Sequence, residues 1–225
     1  MSELSPDLLF VMWGAGVAAG TALIVQWRVV GPGYVWLAGS VTVALAALAA
    51  AAGAGTLAWI AVALAIGGAV AAKAPLASRV MFILASALLL LAGHEPGLLS
   101  IALLVTGTML LGGVTSEMML GHWFLVDPTL PRKPLFDLDE SAAVALAGES
   151  AAVLLSGSVA LRDSPLSWVW IALVVLNGLL LLGVWFSLRE PRYSGVMAAT
   201  GLSYLAVLVT FGAVTVGRAL VAGGI

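Results

Sequence analysis

Two glutamates stand where a carboxylate is costly. Glu117 lies inside IALLVTGTMLLGGVTSEMMLGHWF and Glu149 inside SAAVALAGESAAVLLSG, both otherwise apolar or small. An ionisable side chain within a membrane-spanning run costs a few kcal/mol and is by default a functional-site hypothesis. Small residues flank each one. Gly113 and Gly121 bracket Glu117, while Ala145, Gly148, Ala152 and Ser156 share the side of Glu149. Such stripes let helix backbones approach closely, so both carboxylates are expected to face protein rather than lipid. Placed on consecutive antiparallel helices, Glu117 falls roughly 10 Å and Glu149 roughly 12 Å from the same membrane face. Matched depth predicts a coupled pair that shares one proton or binds a cation.

His122 follows Glu117 by five residues, about 140° around a helix, and so lies on another face at the membrane interface. It is the candidate inner relay for a proton or ion path through Glu117 and Glu149. With Trp123, Gly113 and Gly121 it is also the candidate lining of a quinone or lipid pocket. His94 precedes Glu95-Pro96 in the opposite turn and reads as a solvated loop residue. One apolar run of about 27 residues separates the two histidines, roughly 40 Å of helix, so they cannot ligate one haem in one protomer. No metal-ligand spacing, phosphate-binding loop or dinucleotide fingerprint occurs. Lys73 sits in a turn rather than mid-span, which removes a retinal Schiff base. Asp127, Asp137 and Asp139 could serve a lipid-directed enzyme only with metal-binding spacing, which they lack. A non-enzymatic role is the expectation, and the residues name no cofactor.

The elements that position these residues follow from composition. Hydrophobic residues make up 62% of the 225 and charged residues 9%, against roughly 25% charged in soluble domains. So few charges cannot cover a water-facing surface, and the solvent must be lipid. There is no cysteine, which removes disulfides and thiolate chemistry. A formal net charge of -2 without a basic patch excludes nucleic acid. The first ten residues carry Glu3 and Asp7 and no basic residue, unlike a cleavable signal peptide, so the first helix is expected to be retained.

A spanning helix needs about 20 apolar residues. On that rule the chain is one all-α transmembrane domain of eight spans, near 8–26, 34–52, 56–72, 76–93, 98–124, 141–161, 166–188 and 193–216. The connection 125–140 carries prolines at 128, 131 and 134 and is expected to be extended. Asp137, Asp139 and Ser141 are then candidate caps for the sixth span. Arg132 and Lys133 read as an anchoring charge or as part of a loop over the glutamates. With the N-terminus outside, the inner connections hold Arg28, Lys73, Arg79, Arg132, Lys133, Arg189 and Arg192. The outer ones hold Arg162 and Arg218. That bias puts both termini outside. The tryptophans mostly fall near span ends, as an interfacial belt does. Gly16 and Gly20 form a small-residue pair on the first helix. The short resemblance between Pro32-Gly33-Tyr34 and Pro191-Arg192-Tyr193 does not support a duplication.

The expectation is a multi-pass cell-membrane protein that moves a small solute coupled to protons or cations. The alternative is a non-catalytic membrane subunit of a redox complex. The lipid bilayer is the expected partner, and further membrane subunits or a second copy suit loops this short.

Overall fold

The computed structural model describes residues 6–160 and 164–223. Glu3, the expected sixth-span end at Leu161, and Arg162 lie outside them. The described residues form eight α-helices. These are α1 (Pro6–Trp27), α2 (Pro32–Ala49), α3 (Gly55–Val70), α4 (Pro75–Ala92), α5 (Leu98–Val126), α6 (Lys133–Leu155), α7 (Pro165–Arg189) and α8 (Tyr193–Gly223). Six helical stretches among them are long and apolar enough to cross a membrane, which marks the chain as a multi-pass membrane protein. One of the six, Pro32–Lys73, folds back on itself as α2 and α3. Gly53 (φ 119°) and Gly55 (φ 79°) make that reversal in a backbone region where a side chain would be strained. The least apolar helix, α6, is not among the six.

Close contacts fix the directions. Gly39 meets Ala69, Gly68 meets Phe82 and Gly178 faces Leu146, while Gly183, Gly212 and Gly217 meet Leu202, Leu173 and Trp170, so these sequential neighbours run antiparallel. The helices close into two rings, α1–α4 and α5–α8, with the same order of contacts around each. They join along α1 and α5, which run parallel because three helices lie between them. At that seam a Cβ on Gly16 would stand 2.2 Å from the Thr108 carbonyl, and one on Gly20 would stand 2.0 Å from Ser116 Oγ. The expected role of Gly16 and Gly20 in close packing is met, with Gly112 as the glycine opposite Gly16. Trp13 Nε1 donates to Thr115 Oγ1 at 2.8 Å across the same seam.

Outward-facing surfaces are apolar. Val70, Leu91, Val175, Leu179 and Leu208 stand exposed, as side chains solvated by lipid do.

The connection between α5 and α6 differs from its expected form. The reading of 125–140 as extended loop is corrected: α5 runs to Val126 and α6 starts at Lys133. Proline breaks a helix interior but fits its first turn, where the missing N–H has no partner to lose. Pro134 sits there, as Pro32, Pro75 and Pro165 do in their helices. Asp137, Asp139 and Ser141 are therefore inside α6 rather than capping it. Two helix ends also shift, α6 stopping at Leu155 and α8 continuing past Val216 to Gly223.

Candidate functional site

The earlier start of α6 separates the two glutamates. Thr106 meets Glu149, and Gly113 meets Ala142, which sets the antiparallel register of α5 and α6. One step up α5 is one step down α6, so Glu117 comes level with Leu138 and Asp139. Glu149 lies sixteen residues into α6, roughly 24 Å from its start rather than roughly 12 Å. The level of Glu149 on α5 is Thr106, eleven residues from Glu117 and about 16 Å along the axis. The expected Glu117–Glu149 pair is thus replaced by two separate polar centres.

The first centre is a closed ion pair. Arg218 of α8, expected in an outer connection, is instead buried inside its helix at 6% exposure. Counting each basic residue into a connection placed it wrongly, because a buried partner makes an intramembrane arginine tolerable. Its Nη1 stands 2.9 Å from Glu149 Oε1, and its Nη2 donates to Glu149 Oε2 at 3.2 Å. The Leu103 carbonyl and Met12 Sδ also receive Nη2. Thr106 Oγ1 donates to Glu149 Oε2 at 2.6 Å. Glycine at 107 makes room, since a Cβ there would lie 2.7 Å from the guanidinium. The charges cancel, so this centre needs no added ion.

The second centre does not close. Glu117 is 3% exposed and faces α6 and α8. Ser203 of α8 lies within hydrogen-bonding reach of its carboxyl, and Asp139 is near enough to act on it electrostatically. Asp139, also 3% exposed, is followed by Glu140. One oxygen of each carboxylate, Glu117 Oε1 and Asp139 Oδ1, is buried with no hydrogen-bond partner. No basic side chain pairs with either one among the described residues; the nearest lysine on α6, Lys133, is bound to Asp137 at 2.6 Å on the surface. Two buried carboxylates within electrostatic range of each other, with no basic partner, require a proton or a cation to offset their charge.

Asp139 also borders a cleft of about 630 Å³ between α6 and α7. Its walls are mostly apolar, including Leu146, Gly178, Leu181 and Trp185, with Glu140 beside Asp139 and Ser150 further along α6. The cleft exists because α6 and α7 touch sparsely while α7 and α8 pack closely. Asn177 Nδ2 donates to Thr210 Oγ1 at 2.8 Å and holds α7 to α8 behind it.

The remaining expected site residues do not converge. His122 is exposed, and its Nδ1 is 3.3 Å from the Tyr204 hydroxyl, on a face away from Glu117. Trp123 packs edge-on against Tyr34 and under Gly33. Gly113 rests on Ala142 and Gly121 on Thr200. None of these four lines the cleft between α6 and α7. Arg132 has a structural role that its charge did not reveal. Its guanidinium donates to the carbonyls of Leu188 (3.2 Å), Glu190, Pro191 (2.7 Å) and Arg192 (3.0 Å). It thereby caps the end of α7 and ties the α5–α6 connection to the α7–α8 turn.

Comparison with protein-family models, with curated proteins and with solved structures found no match.

Proposed function

We propose that the chain is an eight-span carrier that couples a proton or monovalent cation, held by Glu117 and Asp139, to movement of a small solute. The observation that carries this reading is the pair of buried carboxylates with an unpartnered oxygen on each. A structural carboxylate would have its charge offset by the protein, as Glu149 has by Arg218, whose Nη1 stands 2.9 Å from the one Glu149 oxygen that likewise lacks a hydrogen bond. Here the offsetting charge must come from a bound species, and Asp139 connects that species to the cleft. Binding and release of the ion then change the charge that the cleft presents, and a solute can shift the equilibrium only through such differential binding. The Glu149–Arg218 pair, about 16 Å further along α5, seals the bundle at the other level. Two carboxylates and one hydroxyl suit a proton or a monovalent cation, and no group of three or more potential metal ligands occurs among the described residues.

Alternating helix directions support eight crossings, with α6 shielded between α5 and α7. Removing the buried Arg218 from the outer connections sharpens the charge bias that puts both termini outside. His122, exposed and turned away from Glu117, takes no part in the path.

The test is charge displacement in vesicles on a solid-supported membrane. A step in pH or in sodium should displace charge transiently in the parent protein. Glu117→Gln and Asp139→Asn should each abolish the signal, while Glu190→Gln at the surface should keep it. A parent protein that behaves like empty vesicles in both steps would overturn the reading.

A further inference from the structure

The cleft between α6 and α7 carries information about the solute. Its walls are apolar side chains of both helices, and its acidic groups are Asp139 and Glu140 of α6. Asp139 is nine-tenths buried, borders this space, and has a carboxylate oxygen without a partner. Glu117 of α5 adds a second carboxylate behind it, and Ser203 of α8 a hydroxyl. The guanidinium facing this region from α7, Arg189, is stacked 3.5 Å over the Trp185 ring, and Lys133 is held by Asp137. Neither neutralises Asp139. At Gly178 an added Cβ would have only Leu146 within 4 Å, at 3.8 Å, so the middle of the cleft is open space.

We infer that this cleft binds an amphipathic organic cation, its positive group at Asp139 and its apolar body along Leu146, Gly178 and Leu181. The inference rests on the carrier reading, for which it names the substrate class. Charge complementarity selects the occupant. A neutral lipid chain would satisfy the apolar walls but leave the buried carboxylate oxygen without a partner, which costs free energy. An anion would be repelled by three carboxylates. A cation entering the cleft offsets the charge that the proton or metal cation otherwise offsets. The two therefore compete for Glu117 and Asp139, and arrival of the solute releases the ion. No covalent step is involved.

Two probes of equal shape and opposite charge test this: tetraphenylphosphonium and tetraphenylborate. Binding to the intact protein in vesicles is measured by equilibrium dialysis, with protein-free vesicles subtracted. Tetraphenylphosphonium should bind saturably and release protons into a weakly buffered medium, and tetraphenylborate should not bind. Asp139→Asn should weaken binding at least tenfold. Gly178→Leu fills the cleft without altering charge, so it should abolish binding yet keep the charge displacement after a pH step. Equal binding of both probes, or binding unaffected by Gly178→Leu in a folded protein, would overturn the inference. Loss of the pH-step signal from the parent protein with probe binding intact would overturn the carrier reading and leave the cleft assignment standing. A preserved pH-step signal without tetraphenylphosphonium binding would do the reverse.

Discussion

Removing one half of the Glu149–Arg218 pair should destabilise the protein far more than removing both. Arg218→Met leaves Glu149 buried with Thr106 as its one donor, and Glu149→Gln leaves a buried guanidinium with neutral acceptors alone: the new amide oxygen, the Leu103 carbonyl and the Met12 sulfur. Breaking a buried pair costs about 3–5 kcal/mol because an uncompensated charge stays behind. For a chain of this size that corresponds to a fall of roughly 6–20 °C in melting temperature. The double change, Glu149→Gln with Arg218→Met, removes both charges and retains an acceptor for Thr106. It should cost only about 1 kcal/mol, since neutral replacements of buried ion pairs are often tolerated. Thr106→Val, which deletes one neutral donor, should fall in the same small range. The assay is thermal unfolding in detergent followed by helical circular dichroism, with the four proteins compared as a double-mutant cycle. Single variants that melt with the parent would show that the pair is not closed and buried. Additive losses in the double variant would show that the two side chains do not interact.

Three further outcomes follow from the packing and the helix directions. Gly16→Leu should prevent folding or lower stability by more than the roughly 1–3 kcal/mol typical of overpacking, because the obstacle is the α5 backbone; Gly201→Leu, which faces open space, should leave the melting temperature unchanged. Thr210→Val should lower stability by roughly 1–2 kcal/mol by leaving the Asn177 amide without its acceptor, seen as an earlier melting transition. Single cysteines at Ala54 and Glu95 should label from one side of sealed vesicles and those at Gly31 and Thr129 from the other. Labelling of Thr129 from the same side as Ala54 would contradict the alternating order of the helices.

Much of the helical architecture was legible because lipid permits only internally hydrogen-bonded segments, so long apolar runs translate directly into helices. Gly16 and Gly20 announced a close crossing by spacing alone. What sequence could not supply was register. Reading Pro134 as a breaker moved the start of α6 by eight residues, and the error carried Glu149 to the wrong level. Glu117 and Glu149 were recognisable as buried carboxylates, but their partners depended on that register. Arg218 does carry a signal in the sequence: it lies in FGAVTVGRALVAGG, an apolar run that continues on both sides of it. Asp139 had no comparable mark, since Asp137 and Glu140 stand beside it and only packing shows which one is buried.

The central claim is that Glu117 and Asp139 together hold a bound positive charge. Infrared difference spectroscopy of the purified protein reads this directly through the C=O stretch of a protonated carboxylic acid. In sodium-free buffer near neutral pH, the account predicts a protonated-carboxyl band that shifts in deuterium oxide and disappears in both Glu117→Gln and Asp139→Asn. Added sodium should diminish the band if the cation competes for the same oxygens. A parent protein with no such band and no sodium-dependent carboxylate change would mean that both groups are ionised without a counter-charge, which would contradict the account.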